Sequence, residues 1–537
     1  MTLAGARCST ICHLLSPPLI LLTAFINFIK YNHYSYAAPE FWICVAGLVA
    51  LGLLCGTIMA LGGIWLRVLG TAGLLTLFVD FQSEWFEDQL ALRVSAFALV
   101  VLVLCWVVRN NLHRVTLSVF ATMLTAAVVL PGSSSEWSVR IGARRGDTQA
   151  VLRPAPPAII HLIFDEFIGI EGIPLEAAAG NAVRHSLRSF LHENGFRVFG
   201  RACSRFHRTD NAIPNMLNYA SMPKEAYFME ENSKRLKQNQ YFNDMLERGY
   251  RIHVYQPHYI DFCEGYENQI ASCHTFFAGI KSLELLPLST VAKADLILQN
   301  FGRLSASWRV GTGYYVRIIR KAVTYGYLSL QWIPASPQLW SAGGLHMLDV
   351  VARNVANGAP GDLHFAHLPT PHSAYVYDRS CNLRNPDDWV DRPSPVPRLG
   401  RYMLYLEQVE CIRKKLQYAL GLWGRAKMFD QAKVIIQGDH GSRLYLKEPT
   451  VDNRDELRES DYVDSFSTLL AVKAPGLEPK YDEQMVAIQD ALAAVPHDRP
   501  LDQLSGRDKK PYVLLRNLEG VEMIRRPMPE FGDIRVE

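Results

Sequence analysis

Five apolar runs crowd into the first 131 residues of this chain, at 12–29, 41–61, 64–81, 94–108 and 115–130. An α-helix needs about 20 apolar residues to cross the hydrocarbon core of a bilayer. Each run is near that length, the third and fourth being short. A cleaved signal peptide would explain the first run by itself, but four more follow. Residues 1–131 are therefore expected to form a membrane domain of about five transmembrane helices. Arg7 precedes the first run, Arg67 links the second to the third, and Arg109, His113 and Arg114 link the fourth to the fifth. The link between the third and fourth, DFQSEWFED at 80–88, is acidic. Loops rich in Lys and Arg stay in the cytoplasm. The N-terminus is then inside, and everything after Pro131 is exported. Lys30 and Arg93 fall on the outer side of this scheme, at run ends from which their head groups can snorkel to the interface.

The remainder reads differently. Residues 132–157 are rich in Ser, Gly, Arg and Pro and are expected to be a linker. From 158 onward, short apolar runs such as AIIHLIF (158–164), YRIHVYQ (250–256) and AKVIIQ (432–437) alternate with segments of helical periodicity such as 182–194 and 398–423. That alternation predicts an α/β domain with a mostly parallel sheet over 158–480, with 481–537 as its C-terminal extension. The apolar, aromatic stretch 283–348 has two readings, a helical subdomain or an insertion near the membrane surface. The formal net charge of +3 over 537 residues gives no basic face for nucleic acid. Export permits disulfides. Cys263 and Cys273 bracket a short loop and are the expected pair, and Cys203, Cys381 and Cys411 leave an odd thiol.

In such sheets, sites gather beyond the carboxyl ends of the strands, and four polar motifs fall there. Asp165 and Glu166 follow IIHLIF. Asp439 and His440 follow VIIQG, with Gly438 and Gly441 on either side. Two acidic strand ends with one imidazole suit a hard, partly nitrogenous metal site; a turn or helix cap is the alternative. Thr209, in FHRTDNAIPNML, stands at the start of a short helix. It reads either as an N-cap or as a nucleophile set at the positive helix end. In HFAHLPTPHSAY, His364 falls within a strand and is expected to pack in the core. His367 and His372 flank a Pro-containing turn, where they either shape the turn or contact an anionic oxygen and protonate a leaving group.

The motifs IIHLIFDE, CSRFHRTDNAIPNML, HLPTPHSAY and IIQGDHGSR, in that order, resemble the sulfatase-like branch of the alkaline phosphatase superfamily. Preceded by five membrane helices, they are similar to the lipoteichoic acid synthase and phosphoethanolamine or phosphoglycerol transferase group. The motifs span roughly 158–475. The resemblance implies one divalent metal ion (Mn, Mg or Zn) held by Asp165, Thr209, Asp439 and His440, with Thr209 as the nucleophile. It also implies a substrate contact from His372; Arg443 after DHG either neutralises a phosphate oxygen or lies at the surface, and His367 and Glu166, which could substitute for or assist Asp165, are further candidates for substrate binding. The implied partners are a membrane phospholipid donor and a glycan or glycolipid acceptor. The implied location is a bacterial inner membrane, with the catalytic domain on the periplasmic or extracellular side.

Three features depart from the family pattern. The C/S-x-P-x-R motif of sulfatases is missing, because Cys203 is followed by Ser-Arg-Phe. No histidine falls between His440 and His497, where many phosphoethanolamine transferases carry one. The first strand ends in Asp165 where some members have Glu, with Glu166 adjacent. The expected reaction is transfer of a phospho-headgroup through a threonine-linked intermediate. Two alternatives stand beside it: a sulfatase or phosphodiesterase using the same residues, and a non-catalytic membrane protein that keeps the fold.

Overall fold

A computed structural model describes residues 3–82, 90–129, 138–141, 155–219, 236, 238–276, 279–303, 339–390, 396–426, 429–501, 511–517 and 522–531. The chain forms two compact units. One comprises Met1–Glu136 with Gly279–Pro337, the other Trp137–Ala278 with Gln338–Glu537.

The first unit is helical: α1 (Leu3–Tyr31), α2 (Pro39–Leu61), α3 (Ile64–Gln82), α4 (Leu90–Val107) and α5 (Leu112–Val129). Among the described residues four helices are long and apolar enough to cross a membrane, and a shorter apolar helix runs over Val94–Val107. Leu54, Val103 and Leu104 are more than half exposed. Apolar side chains turned outward in this way suit lipid rather than water. A Cβ on Gly52 or Gly56 would collide with the backbone of Pro18 or Leu14. Small residues four apart thus let α2 lie close against α1, as small-residue stripes do in membrane bundles. An insertion from later in the chain joins this unit. In α9 (Thr290–Arg303) the carbonyl of Ala294 accepts a bond from Cys44 Sγ at 3.4 Å, and the ring of Phe301 stacks on Phe81. The stretch 283–348 is therefore split. Its start packs among the apolar helices, 304–338 lies outside the described residues, and its end belongs to the second unit.

The second unit is built on a nine-stranded sheet of β1 (Ser138–Ile141), β2 (Ile159–Phe164), β3 (Arg197–Cys203), β4 (Arg251–Pro257), β5 (Ser272–Phe276), β6 (Asp362–Leu368), β7 (Lys433–Gly438), β8 (Leu470–Lys473) and β9 (Tyr481–Ala487). The spatial order is β1-β5-β4-β6-β2-β7-β8-β3-β9. Neighbours pair in parallel except where β1 meets β5 and where β8 meets β7 and β3. The sheet is thus mostly parallel, as its alternating pattern predicts. The segment read as a linker contributes β1, and the tail read as an extension contributes β9. A separate hairpin pairs β10 (Tyr512–Arg516) with β11 (Met523–Pro527).

Every residue of β2 is buried, because helices cover both faces of the sheet. Ile160, Leu162 and Phe164 face a core shared with α6 (Gly180–Glu193), α10 (Trp340–Ala356) and α11 (Arg398–Trp423). Ile159 and Ile163 face the other core, with α7 (Thr209–Leu217) and α8 (Gln240–Glu247). Burying each such side chain contributes about 1.5–3 kcal/mol. The buried registry has a consequence for function. Phe164 pairs with both Leu368 and Gly438. The next residues of β2 and β7 therefore leave the sheet at one level: Asp165 and Glu166 beside Asp439 and His440.

Two disulfides lie in this unit. Cys263–Cys273 is the expected pair, and Cys381–Cys411 accounts for two of the remaining three cysteines. Cys203 is the odd thiol, fully buried, and burial pushes its pKa up to about 12.

Candidate metal centre and active site

Four of the expected residues converge. The Thr209 hydroxyl donates to Asp439 Oδ2 at 2.8 Å and lies 3.4 Å from Asp165 Oδ1 and 3.2 Å from His440 Nε2. Asp165 is 2% exposed and Asp439 and His440 are fully buried, so the solvated-turn reading of these strand ends does not hold. Thr209 itself is partly exposed. The groups it faces are buried.

The backbone fixes each of these side chains. Asp439 Oδ1 accepts the N–H of Glu166 at 3.1 Å and the N–H of His440 at 2.8 Å, so Oδ2 is the oxygen left facing Thr209. The two glycines around the Asp-His pair serve close approach, not an unusual φ. A Cβ on Gly438 would lie 2.5 Å from the carbonyl oxygen of Phe167, and one on Gly441 2.3 Å from that of Asp464. Asp464 is in turn held by a buried ion pair with Arg398 of α11. At the other strand end Glu166 adopts a left-handed φ of 65°. For a non-glycine residue that costs on the order of 1–3 kcal/mol. Tyr405 of α11 holds the turn, donating to the Glu166 carbonyl at 2.8 Å and accepting from the Ile168 N–H at 2.9 Å.

The charges make sense around a cation. Burial, then the nearby Asp439 carboxylate, push the Asp165 pKa up, and burial does the same to Asp439. Burial, then Arg443, hold His440 well below its usual range, so its ring is neutral. His440 Nδ1 lies 3.0 Å from the Gly441 carbonyl. A carbonyl only accepts, so Nδ1 carries the hydrogen and Nε2 presents a lone pair. That lone pair lies 3.3 Å from Asp439 Oδ2 and 3.7 Å from Asp165 Oδ1. Two carboxylates and a lone pair that face one another across a buried gap repel unless a cation lies between them. Asp165, Asp439 and His440 present ligand atoms close enough to share one ion, so the donor set fits a divalent metal.

A second group borders the first. His372 Nε2 and Arg443 Nη1 lie 3.4 and 3.5 Å from Glu166 Oε1. Glu166 is fully buried, His372 is 8% exposed, and Arg443 is partly exposed. The His372 and Arg443 side chains thus converge on one oxygen of a buried acid that directly follows Asp165. Asp165, Glu166 and His372 also present ligand atoms close to one another.

His367 is placed elsewhere. It lies within β6, fully buried, edge-on to Tyr259 and Phe262. Burial pushes its pKa down to about 3. With no exposed surface it packs beneath the site and is not in a position to touch a substrate, because β6 runs through Leu368, one residue beyond His367, before reaching the turn. His364 packs in the core as expected, stacked on His253.

Two residues beside the site have no counterpart in the sequence reading. The Tyr259 hydroxyl donates to Asp165 Oδ2 at 3.4 Å. Its ring stacks on Trp340, which lies 5.2 Å from the ring of His372. The signal for Tyr259 was its position two residues past the end of β4, where a site residue belongs. Trp340 has no such signal, because it opens a helix after a long insertion.

No protein-family model matches the chain, and no curated protein matches it. Among solved structures its fold is similar to the C-terminal periplasmic domain of EcEptC from Escherichia coli, at 12% identity and a TM-score of 0.39, covering 69% of this chain and 93% of that one. It is also similar to a protein in the alkaline phosphatase superfamily from Vibrio parahaemolyticus, at 10% identity and a TM-score of 0.38, covering 68% and 74%. A third is the phosphonate monoester hydrolase SpPMH from Silicibacter pomeroyi, at 13% identity and a TM-score of 0.38, covering 67% and 79%. Likenesses at this level transfer no residue roles to this chain.

Proposed function

We propose that this protein is a membrane-anchored, metal-dependent phosphotransferase that uses Thr209 as its nucleophile. The observation that carries this reading is the Thr209 hydroxyl, hydrogen-bonded to Asp439 Oδ2 at 2.8 Å and set beside the buried Asp165 and His440. Asp165, Asp439, His440 and Thr209 would hold the divalent ion, with Mn, Mg or Zn all compatible with three oxygens and one nitrogen. When bound, that ion supplies positive charge that lowers the hydroxyl pKa and offsets phosphoryl charge.

The chain's own residues do the rest. Asp439 takes the Thr209 proton along the existing hydrogen bond. Thr209 Oγ1 bonds to the phosphorus of a lipid phosphodiester as the bond to the diacylglycerol oxygen breaks. His372 gives a proton to that departing oxygen, and Arg443 faces the phosphoryl oxygens. An acceptor hydroxyl then attacks phosphorus, giving its proton to His372. The Thr209 oxygen leaves and recovers its proton from Asp439. The two transfers together return the site to its starting protonation. The start of α7 adds partial positive charge from its free N–H groups.

The lipid donor is supported by the apolar helices of the first unit, four of them among the described residues long enough to cross a bilayer, and by the Lys/Arg pattern of its loops, which favours an α/β unit outside the cytoplasm. A bacterial inner membrane and a glycan or glycolipid acceptor complete the proposal. The test is mass spectrometry of the Thr209 peptide after incubating purified protein with membrane lipids and divalent metal. A phospho-headgroup adduct on Thr209 is expected. Lipid turnover that persists unchanged in Thr209→Ala sinks the proposal. Running the reaction with and without a glycan acceptor separates transfer from hydrolysis.

A further inference from the structure

The loop between β4 and β5 is fastened more firmly than a connection requires. The Gln256 side chain accepts the Phe262 N–H at 2.7 Å and donates to Asp261 Oδ1 at 3.1 Å. Asp261 Oδ1 also accepts the N–H groups of Cys263 and Glu264 at 2.9 and 3.1 Å. The disulfide Cys263–Cys273 then closes the loop onto β5. The residue held in place by this clamp is Tyr259. Its ring is fixed a second time, stacked on Trp340 with centroids 4.4 Å apart and planes 19° apart, and edge-on to His367 at 83°.

Only the hydroxyl is left with a polar task, and it faces Asp165. The two oxygens of that carboxylate have different surroundings. Oδ1 faces Thr209 and His440, at 3.4 and 3.7 Å, while Oδ2 takes the Tyr259 hydroxyl at 3.4 Å. We propose that Tyr259 is a positioning residue of the metal centre, holding Asp165 by one oxygen so that the other is presented to the ion. The proposal rests on the metal-centre reading above.

A phenol suits this task better than other donors. An Arg or Lys on Oδ2 would place a positive charge beside the cation site and weaken it. A serine could not reach from a loop held this far back. A phenol, with an ordinary pKa of about 10, keeps its hydrogen and donates at neutral pH. Hydrogen bonds that orient a metal ligand from behind typically contribute about 10–100-fold in metal affinity.

The experiment uses the full chain in detergent, stripped of metal with a chelator and titrated with Mn²⁺ and with Zn²⁺ by calorimetry. Tyr259→Phe keeps the ring and its stack on Trp340 and removes only the hydroxyl. Its metal Kd is expected to rise by about 10–100-fold, with the melting temperature of the metal-free protein unchanged. A Kd equal to wild type overturns the proposal. So does a loss of affinity matched by a lower metal-free melting temperature, which would mark a packing role. A wild-type protein that binds neither ion would instead overturn the metal centre itself, and that failure shows in the wild type before any variant is compared.

Discussion

Thr209 Oγ1 donates to Asp439 Oδ2 across 2.8 Å, and this contact separates two uses of a threonine at a helix start. An N-capping hydroxyl accepts from backbone N–H groups of its own first turn. In this protein Thr209 is the first residue of α7, the residue before it is Arg208, and no side chain caps the helix. The hydroxyl is turned toward the carboxylate instead. Thr209→Ala is therefore expected to lose at least about 10³-fold in lipid turnover. Its unfolding free energy should stay within about 0.5 kcal/mol of wild type, because Thr209 is partly exposed and the change deletes only its hydroxyl and γ-methyl. Turnover assays and urea melts on the same preparation check both halves.

Metal removal should destabilise the protein, and more at high pH than at low. In the metal-free site the pKa values of Asp165 and Asp439 are raised above their unfolded values, chiefly by burial. Raised carboxyl pKa values mean that folding takes up protons. That stability is present at low pH and is lost as pH rises through the folded values. A bound divalent ion removes the penalty and contributes about 2.7 kcal/mol at a hundred times its Kd. The rise in melting temperature on adding Mn²⁺ or Zn²⁺ should be larger at pH 8 than at pH 6. In Asp439→Asn the metal-induced rise should vanish, and a rise equal to wild type would count against Asp439 as a ligand.

Glu166 should act through its neighbours. Its carboxylate sits between His372 and Arg443, at 3.4 and 3.5 Å, and is fully buried. Glu166→Gln keeps the volume and removes the charge that orients both. His372→Ala is expected to lower turnover by about 10²–10⁴-fold as a lost proton donor. Glu166→Gln should fall between that variant and wild type, and steady-state kinetics on the three proteins sets the order.

Much of this was legible in the sequence. The strand ends at Asp165 and Asp439 were readable because a parallel strand buried on both faces must be apolar throughout, so its first polar residues mark the end of the sheet. Thr209, His440 and the Cys263–Cys273 pair followed from local motifs. His367 did not, since alternation along β6 decides whether a histidine faces the site or the core, and HFAHL is apolar or aromatic at almost every position. The insertion at 290–303 and the pairing of β1 with β5 were hidden for a different reason. Both depend on partners more than 100 residues away, and nothing in their own composition names those partners. Tyr259 stood in plain view after a recognised strand, but a tyrosine carries no motif of its own.

Buried neutral histidines should make the α/β unit acid-labile. Burial pushes the pKa values of His161, His364 and His367 down to about 3. The unfolded chain titrates near the ordinary value of about 6.5, so below it the unfolded state binds more protons than the folded one. Stability from these groups is present above that pH and is lost as pH falls from about 6.5 toward 3. Each contributes a slope approaching 1.4 kcal/mol per pH unit, by the usual conversion of about 1.36 kcal/mol per pKa unit. His367 offers the cleanest check, because neither ring nitrogen has a hydrogen-bond partner among the described residues and the ring packs against Tyr259 and Phe262. His367→Phe should preserve stability at pH 7 and flatten its fall between pH 6 and pH 4, read as urea midpoints across that range. It should also retain lipid turnover, since a packed residue touches no substrate. A variant with wild-type acid sensitivity would show that His367 is already protonated in the folded state, and a variant with lost turnover would return His367 to the active site.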